Sequence, residues 1–537
     1  MIDRYRSSGI WRDRTIADRL DELCQARPNQ KLVIESDQFY TASEVKHDAL
    51  RLAGALAAKG LKRGDVVSFQ LPNWYEAILV DIACAYGGFV CNPIVPIYRG
   101  AEVDFIIKDS GSRILFIPEH FRNFDYKAMA DELWPRWNRL DNVIVVRGSS
   151  QSASSFESLM AEEPAELGAR PDPNHVKLIM YTSGTTGRAK GVLHTHNTIA
   201  TEISNFSDWL TLDENDVILM PSPLAHITGY LYGIQLPVTL GCPVVLMDMW
   251  DVRRAANDIE ANGVTFTIGA TPFLQELSNL CRETRRNLPS LRYFPSGGAP
   301  VPPEIILGAD SSFERCVAFR VYGSTEAPTV TLGVPDRAEQ TLRATTEGYI
   351  VGHEVRLVDE YGVEVKRGEE GEITTRGPEL TVGYALDEQN SEAFDENGFF
   401  RTGDLAVQTP EGCLSITGRK KDIIIRGGEN LSPKEIEDVL YTHPAVYEAA
   451  VVAMPHARLG ETCCAFVTLK AGAVFDFEAM RKVLTASGLA KQKFPERLEI
   501  VDSLPYTPAG KIRKNLLRNQ ISEIIRQENA RSQRANS

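Results

Sequence analysis

The chain reads as an α/β protein with a large N-terminal part and a smaller α+β C-terminal part. Three observations predict this. Helix-type and strand-type apolar patterns alternate through the first half of the chain. After about residue 345 the texture changes to short strands and turns. Residues 422–537 then return to mixed α and β elements rich in Lys and Glu.

The elements follow in order. Residues 41–60 predict an amphipathic helix: Thr41 and Glu44 have capping-box spacing, and Val45, Leu52 and Leu56 form the apolar stripe. Gly60 suits the position just past its end. Val66–Leu71 reads as a strand, about 74–87 as a second helix, and Phe89-Val90 as another strand. The alternation recurs at 251–270. The pieces Tyr349–Leu357, Gly371–Thr375 and Leu414–Thr417 predict a β-rich subdomain. The polar tail from about Gln520 is predicted to fray.

Size and charge bound the function. The 537 residues are 43% hydrophobic, ample for a buried core and two to four domains. With 58 Lys and Arg against 72 Asp and Glu, the net charge is −14, which argues against nucleic acid as a partner. The start has no signal-peptide pattern and no apolar run is long enough to span a membrane, so a cytoplasmic location is expected. The nine Cys form no CxxC pair and read as reduced, buried thiols. The nine His show no metal-ligand spacing.

One segment points to chemistry. Tyr181 to Gly191 packs three Gly, four Ser or Thr, and Lys190 behind the apolar run Leu178-Ile179-Met180. Turning backbone N–H groups, hydroxyls and an ammonium are what a polyphosphate needs. It is not a Walker A loop, because Lys190 is followed by Gly191 rather than Ser or Thr. Taken alone, it also fits an ordinary Ser/Gly loop.

Further segments follow. Ser296-Gly297-Gly298-Ala299-Pro300 offers small residues beside a strand at Tyr293-Phe294. Val321 to Glu326 supplies an aromatic ring, hydroxyls and a carboxylate. Phe400 to Leu405 sets Asp404 in a Gly turn, and Pro505 to Lys514 holds Lys511 after a Pro/Gly turn. Gly418 to Asp422 is a short charged segment between apolar strands. Each has a bland reading alone, as a plain turn, a solvated acid or a surface Lys.

Their order decides. Together with Gly371 to Pro378, they resemble the adenylate-forming family of acyl-CoA synthetases, firefly luciferase and peptide-synthetase adenylation domains, from about residue 10 to 518. The resemblance implies a two-step reaction using ATP, Mg²⁺ and coenzyme A. A carboxylate attacks the α-phosphate to give acyl-AMP and pyrophosphate, and a thiol then displaces AMP. It implies an AMP-binding domain over 1–418, a hinge at 419–421 pivoting on Lys421, and a mobile C-terminal lid over 422–537.

The resemblance also implies residue roles. Thr182, Ser183, Gly184, Thr185, Thr186, Gly187 and Lys190 wrap the β- and γ-phosphates. Gly297, Gly298, Ala299, Tyr322 and Gly323 border the adenine, with Gly298 and Gly323 also near the acid. Thr325 meets the α-phosphate and Glu326 holds Mg²⁺. Asp404 takes the ribose hydroxyls with Arg419 nearby. Lys511 serves the first half-reaction. Gly427 and Gly428 line the pantetheine route in the second.

The acid is read from Pro221 to Gly229, where His226 is expected beside the substrate carboxylate. From 221 to 250 the only charged residue is Asp248, so a pocket lined by Tyr230, Leu231, Tyr232 and Ile234 favours an apolar acid. Cys91 to Arg99 resembles medium-chain fatty and cyclohexanecarboxylate CoA ligases. A medium-chain, alicyclic, aryl or terpenoid acid is expected, and an amino acid is disfavoured. An acyl carrier protein as the thiol, a luciferase-type oxygenase and a non-catalytic adenylate sensor are the alternatives. A homodimer is left open.

Overall fold

The structure is a computed structural model that describes residues 2–148, 155–182, 189–299, 301–427, 429–456, 458–506 and 511–535. Those residues form two large sheets, a five-stranded sheet and a two-stranded ribbon, His120–Phe121 with Phe124–Asp125. The thirteen-stranded sheet has a parallel middle, in the order Lys31–Glu35, Val244–Leu246, Ile218–Met220, Phe266–Thr267, Tyr293–Gly297 and Val317–Tyr322. Parallel neighbours need crossovers. Helices Val252–Asn262, Thr271–Thr284 and Pro303–Ser312 supply three of them.

Beyond Val317–Tyr322 the same sheet becomes antiparallel. It runs through Thr331–Leu332, Gly348–Ile350, Cys413–Arg419, Phe400–Gln408 and Glu370–Arg376 to Glu354–Val358. The β-rich region expected after residue 345 is therefore present, joined edgewise to the α/β sheet.

The seven-stranded sheet runs in the order Gly383–Tyr384, Lys190–Thr195, Val176–Thr182, Val90–Pro93, Val66–Phe69, Ile114–Pro118 and Asn142–Val146. The first predicted helix is Ala42–Ala58, and its capping box is made. The Thr41 N–H donates to Glu44 at 2.8 Å and the Glu44 N–H donates to Thr41 Oγ1 at 3.3 Å. The second predicted helix is Tyr75–Gly87, and the two pack together. One continuous core takes in Leu52, Leu56, Ile78, Phe206 and Phe266, from both sheets and the helices. All nine Cys are unpaired and eight are buried. Among the described residues no helix is long and apolar enough to cross a membrane.

The chain leaves the large sheet through one 3₁₀ turn, Lys420–Asp422, and enters a third sheet built around the hairpin Val446–His456 and Gly460–Leu469. Alternate residues of this hairpin face opposite ways. Val451 packs with Ile436, Leu440 and Met480, while Val452 packs with Phe466, Leu517 and Ile521. The last two residues lie on helix Lys514–Ala535, so the tail expected to fray is helical and partly buried.

One polar group is sealed inside the large part. Lys177 Nζ donates to Asp81 at 2.6 Å and to the Tyr230 hydroxyl at 2.5 Å. Gln235 Nε2 donates to the second Asp81 oxygen at 2.8 Å. The Lys177 and Asp81 side chains are fully buried, so each needs the other. Asp81→Ala should therefore cost about 3–5 kcal/mol by stranding the ammonium. The double variant Asp81→Leu with Lys177→Met should recover most of that loss. Urea unfolding measures both, and equal losses in the single and double variants would contradict the pairing.

Candidate active site

The strands Val176–Thr182 and Lys190–Thr195 pair antiparallel, with Thr182 opposite Lys190. The strands that flank the Gly/Thr segment are thus in register up to Thr182 and Lys190. Ser183, Gly184, Thr185, Thr186 and Gly187 lie outside the described residues, as does Gly428.

The strand leaving this hairpin fixes the next motif. His194 Nε2 lies 2.8 Å from the Thr325 carbonyl oxygen. That oxygen can only accept, so Nε2 carries the hydrogen. The Thr381 N–H donates to the Glu326 carbonyl at 2.7 Å, and the Tyr384 hydroxyl donates to the Glu326 carboxylate at 2.8 Å. Glu326 is 9% exposed. Among the described residues no cluster of three or more His, Cys, Asp or Glu is placed for a metal. A single buried carboxylate of this kind suits Mg²⁺, which is held by one or two carboxylates and substrate phosphates.

Gly297 ends strand Tyr293–Gly297, which pairs with the strand that carries Tyr322, and Gly298 follows it. Gly298 has φ 79° with open space where a Cβ would sit, so the backbone conformation calls for glycine there. At Gly323 a Cβ would lie 1.9 Å from the Pro328 carbonyl oxygen, so the turn itself excludes a side chain. Ala299 follows Gly298 at the strand end.

Asp404 faces Arg419 across the strand pair Phe400–Gln408 and Cys413–Arg419. It accepts from Arg419 Nε and, at 2.8 Å, from the Tyr322 hydroxyl. Arg419 Nη2 also donates to it, at 3.4 Å; a carboxylate has about four acceptor sites, so this one keeps about one more. Burial and Asp404 hold the Tyr322 phenol well above its ordinary pKa, so it remains a donor.

Lys511 reaches this cleft from the C-terminal part. Burial lowers its pKa and Arg419 lowers it further, against the opposing pull of Asp404 and Glu326. Its charge also reaches His226, whose pKa falls to about 4, chiefly through desolvation. His226 caps helix Ile227–Tyr230, accepting the Thr228 N–H at 3.4 Å, and a π-helical turn, Leu231–Gln235, follows. Such turns are frequent at functional sites. The structure thus brings Asp404, Arg419, Glu326 and His226 each within electrostatic reach of Lys511. Lys421 adjoins them, and its carbonyl accepts from Arg518 at 3.2 Å. Gly427, with φ 59°, is exposed at a turn tip.

The acyl-pocket expectation needs correction. Tyr230, Leu231, Tyr232 and Ile234 are 0 to 3% exposed. The Tyr230 hydroxyl belongs to the Asp81–Lys177 group. The Tyr232 hydroxyl donates to Glu202 at 2.6 Å. These side chains form the packed floor beneath the cleft and present no open lining. The polar partners below them were not legible in the sequence, because Asp81 lies 149 residues from Tyr230.

The same floor holds a carboxyl pair, Glu202 and Glu379. Burial raises both pKa values, that of Glu379 to about 7. His194, Thr381, Tyr384 and this pair are site features that sequence reading missed. Gly383-Tyr384, soon after Gly377-Pro378, was the one local signal.

Residues 20–385 match the family described as AMP-binding enzyme, and residues 435–511 match the AMP-binding enzyme C-terminal domain. The chain is 34% identical to the medium-chain fatty-acid–CoA ligase of Escherichia coli (strain K12), covering 98% of this chain and 93% of that one. It is 31% identical to the vibriobactin-specific 2,3-dihydroxybenzoate-AMP ligase of Vibrio cholerae, covering 97% and 96%. ATP-bound MatB from Rhodopseudomonas palustris has the same fold, with a TM-score of 0.85 at 27% identity, covering 95% and 99%. The fold and cleft define an adenylate-forming enzyme. The chain belongs to the AMP-binding enzyme family, and both of the family's parts are present.

The buried titrating groups set opposing pH effects. The His194 pKa is pushed down to about 4 by burial, against roughly 6.5 unfolded. As pH falls from about 6.5 to 4 the unfolded chain takes up that proton first, and stability is lost. Glu379, raised from 4.5 to about 7, works the other way: its contribution is present at low pH and is lost as pH rises through 7. His194→Gln should therefore shrink the fall in melting temperature between pH 7 and 4.5, and Glu379→Gln should deepen it. Unchanged pH profiles would contradict both assignments.

Proposed function

We propose that this enzyme activates an apolar carboxylic acid as acyl-AMP, releasing pyrophosphate from ATP, and then passes the acyl group to the thiol of coenzyme A. The observation that carries this reading is that Lys511, from the C-terminal part, comes within electrostatic reach of Asp404, Arg419 and Glu326, where Asp404 pairs with Arg419 and the Tyr322 hydroxyl. A carboxylate oxygen bonds to the α-phosphorus, and the bond from that phosphorus to the bridging oxygen breaks. The difficulty is that the two reactants are both anions. Lys511 bridges them, so the charge that builds on the transferring phosphate meets a fixed cation. Positioning supplies most of the rest.

Asp404 takes the ribose hydroxyls, Tyr322, Gly297, Gly298, Ala299 and Gly323 border the adenine, and Thr325 meets the α-phosphate. The hairpin from Thr182 to Lys190 holds the leaving pyrophosphate. Glu326 would hold Mg²⁺, which when bound neutralises phosphate charge. His226, neutral above about pH 4, sits by the acid as a polar neighbour without charge.

The acid's class rests on charge. Asp248 donates no free carboxylate to the cleft, since Arg254 pairs with it at 2.9 Å. Nothing from 221 to 250 is left to meet a substrate ammonium, and the Escherichia coli relative is named for medium-chain fatty acids. A medium-chain, alicyclic, aryl or terpenoid acid fits. In the second half-reaction the C-terminal part, 422–537, turns about Lys421 within 419–421. It withdraws Lys511 from the body, 1–418, and brings in Gly427 and Gly428.

The Vibrio cholerae relative, named only as an AMP ligase, favours a second reading in which an acyl carrier protein supplies the thiol. Pyrophosphate release on a panel of acids, with and without coenzyme A, separates the readings. Release with apolar acids and a thioester with coenzyme A are expected. Activity with amino acids alone would overturn the acid class, and adenylate that never reaches coenzyme A would favour the carrier protein. Lys511→Ala should abolish adenylate formation yet spare thioester formation from pre-made acyl-AMP. Equal loss of both halves would contradict its assigned role.

A further inference from the structure

We propose that Tyr384 is a positioning residue that sets the Glu326 carboxylate for Mg²⁺ and ties it to Lys190 of the triphosphate hairpin. The inference rests on the reading that Glu326 meets the metal and Lys190 the phosphates.

Three independent contacts converge on this residue, two of them through its side chain. Its hydroxyl donates to Glu326 Oε1 at 2.8 Å. Its face lies 4.8 Å from the Lys190 ammonium, within cation–π range. Its N–H donates to Asn390 Oδ1 at 2.8 Å. The backbone around it is laced to the strand leaving the hairpin. Tyr384 lies opposite Val192, the Ala385 N–H donates to the Gly191 carbonyl at 2.8 Å, and the Thr381 hydroxyl donates to the Leu193 carbonyl at 2.7 Å. Thr381 also grips the Glu326 carbonyl from the same segment.

Both the main chain and the side chain of Glu326 are thus referenced to the strand that carries Lys190. A carboxylate held through one oxygen by a buried phenol presents its other oxygen in one direction. Tyr384 is 5% exposed, and burial with Glu326 alongside raises its pKa, which keeps the phenol a donor. An O–H···O⁻ bond of this kind is among the stronger hydrogen bonds. No proton moves and no bond changes at Tyr384. Its effect is geometric, exerted through Glu326 and Lys190.

The test is ATP binding to the full chain by isothermal titration, in EDTA and across a Mg²⁺ series. Tyr384→Phe keeps the ring and loses only the hydroxyl. It should bind ATP in EDTA as the parent does. The Mg²⁺ concentration for half-maximal enhancement of binding should rise about tenfold. Tyr384→Leu should also weaken binding in EDTA, because Lys190 loses its platform. In a Glu326→Gln background, adding Tyr384→Phe should change nothing further, which keeps the inference testable if the single variant is unstable. An unchanged Mg²⁺ requirement in Tyr384→Phe, or equal weakening with and without Mg²⁺, would overturn it. Glu326→Gln alone tells the two failures apart. A raised Mg²⁺ requirement there with none in Tyr384→Phe removes only the tyrosine's role, whereas no change in either removes the magnesium reading of Glu326.

Discussion

Everything in this molecule is arranged around a cation carried to an acidic cleft by a separate part of the chain. Lys511 arrives from the C-terminal sheet and lodges near Asp404 and Glu326, with Arg419 beside it. Burying an ammonium is costly unless opposite charge awaits it. The two carboxylates supply that charge, and the anions of the proposed reaction would supply more. The docked arrangement is thus strengthened by the charge it is there to neutralise. A single short turn, Lys420–Asp422, separates the sheet that bears Asp404 and Arg419 from the sheet that follows.

The large part supplies rigidity. One strand, Lys190–Thr195, follows the Gly/Thr segment, orients Thr325 through His194, and pairs with the segment that grips Glu326. Among the buried polar groups of this part are the Asp81–Lys177 pair, and two carboxyls whose raised pKa values mark them as reluctant to ionise. Buried networks of this kind are costly when half-made and rigidifying when complete. Thr325 and Glu326 therefore rest on buried polar groups of the large part, while Lys511 stands on the other side of the turn.

Much of this was legible in the sequence because it is local. The helix at 42–58 announced itself through Thr41 and Glu44, four residues inclusive, and the structure makes both bonds. Asp404, Arg419 and Tyr322 were found by motif, and the structure brings them together. What failed was non-local. Tyr230 and its neighbours look like an apolar lining when read in a row, but Asp81 and Glu202, brought from elsewhere by the fold, claim their hydroxyls. Tyr384 was missed for the same reason, since 58 residues separate it from Glu326. The polar tail from about Gln520 failed differently: Ile521 packs into a core that only exists once the hairpin has formed.

The central claim is that one residue near the turn lets the same cleft serve two half-reactions with different occupants. Lys421 lies within the 3₁₀ turn, whose φ range a proline ring accepts. Lys421→Pro should therefore hold the docked arrangement while stiffening the pivot. The decisive measurement is single-turnover kinetics of each half-reaction in that variant. Adenylate formation from ATP and acid should stay close to the parent rate, and thioester formation from pre-made acyl-AMP and coenzyme A should fall by more than about tenfold. Parent-like rates in both halves, or equal loss in both, would contradict the account.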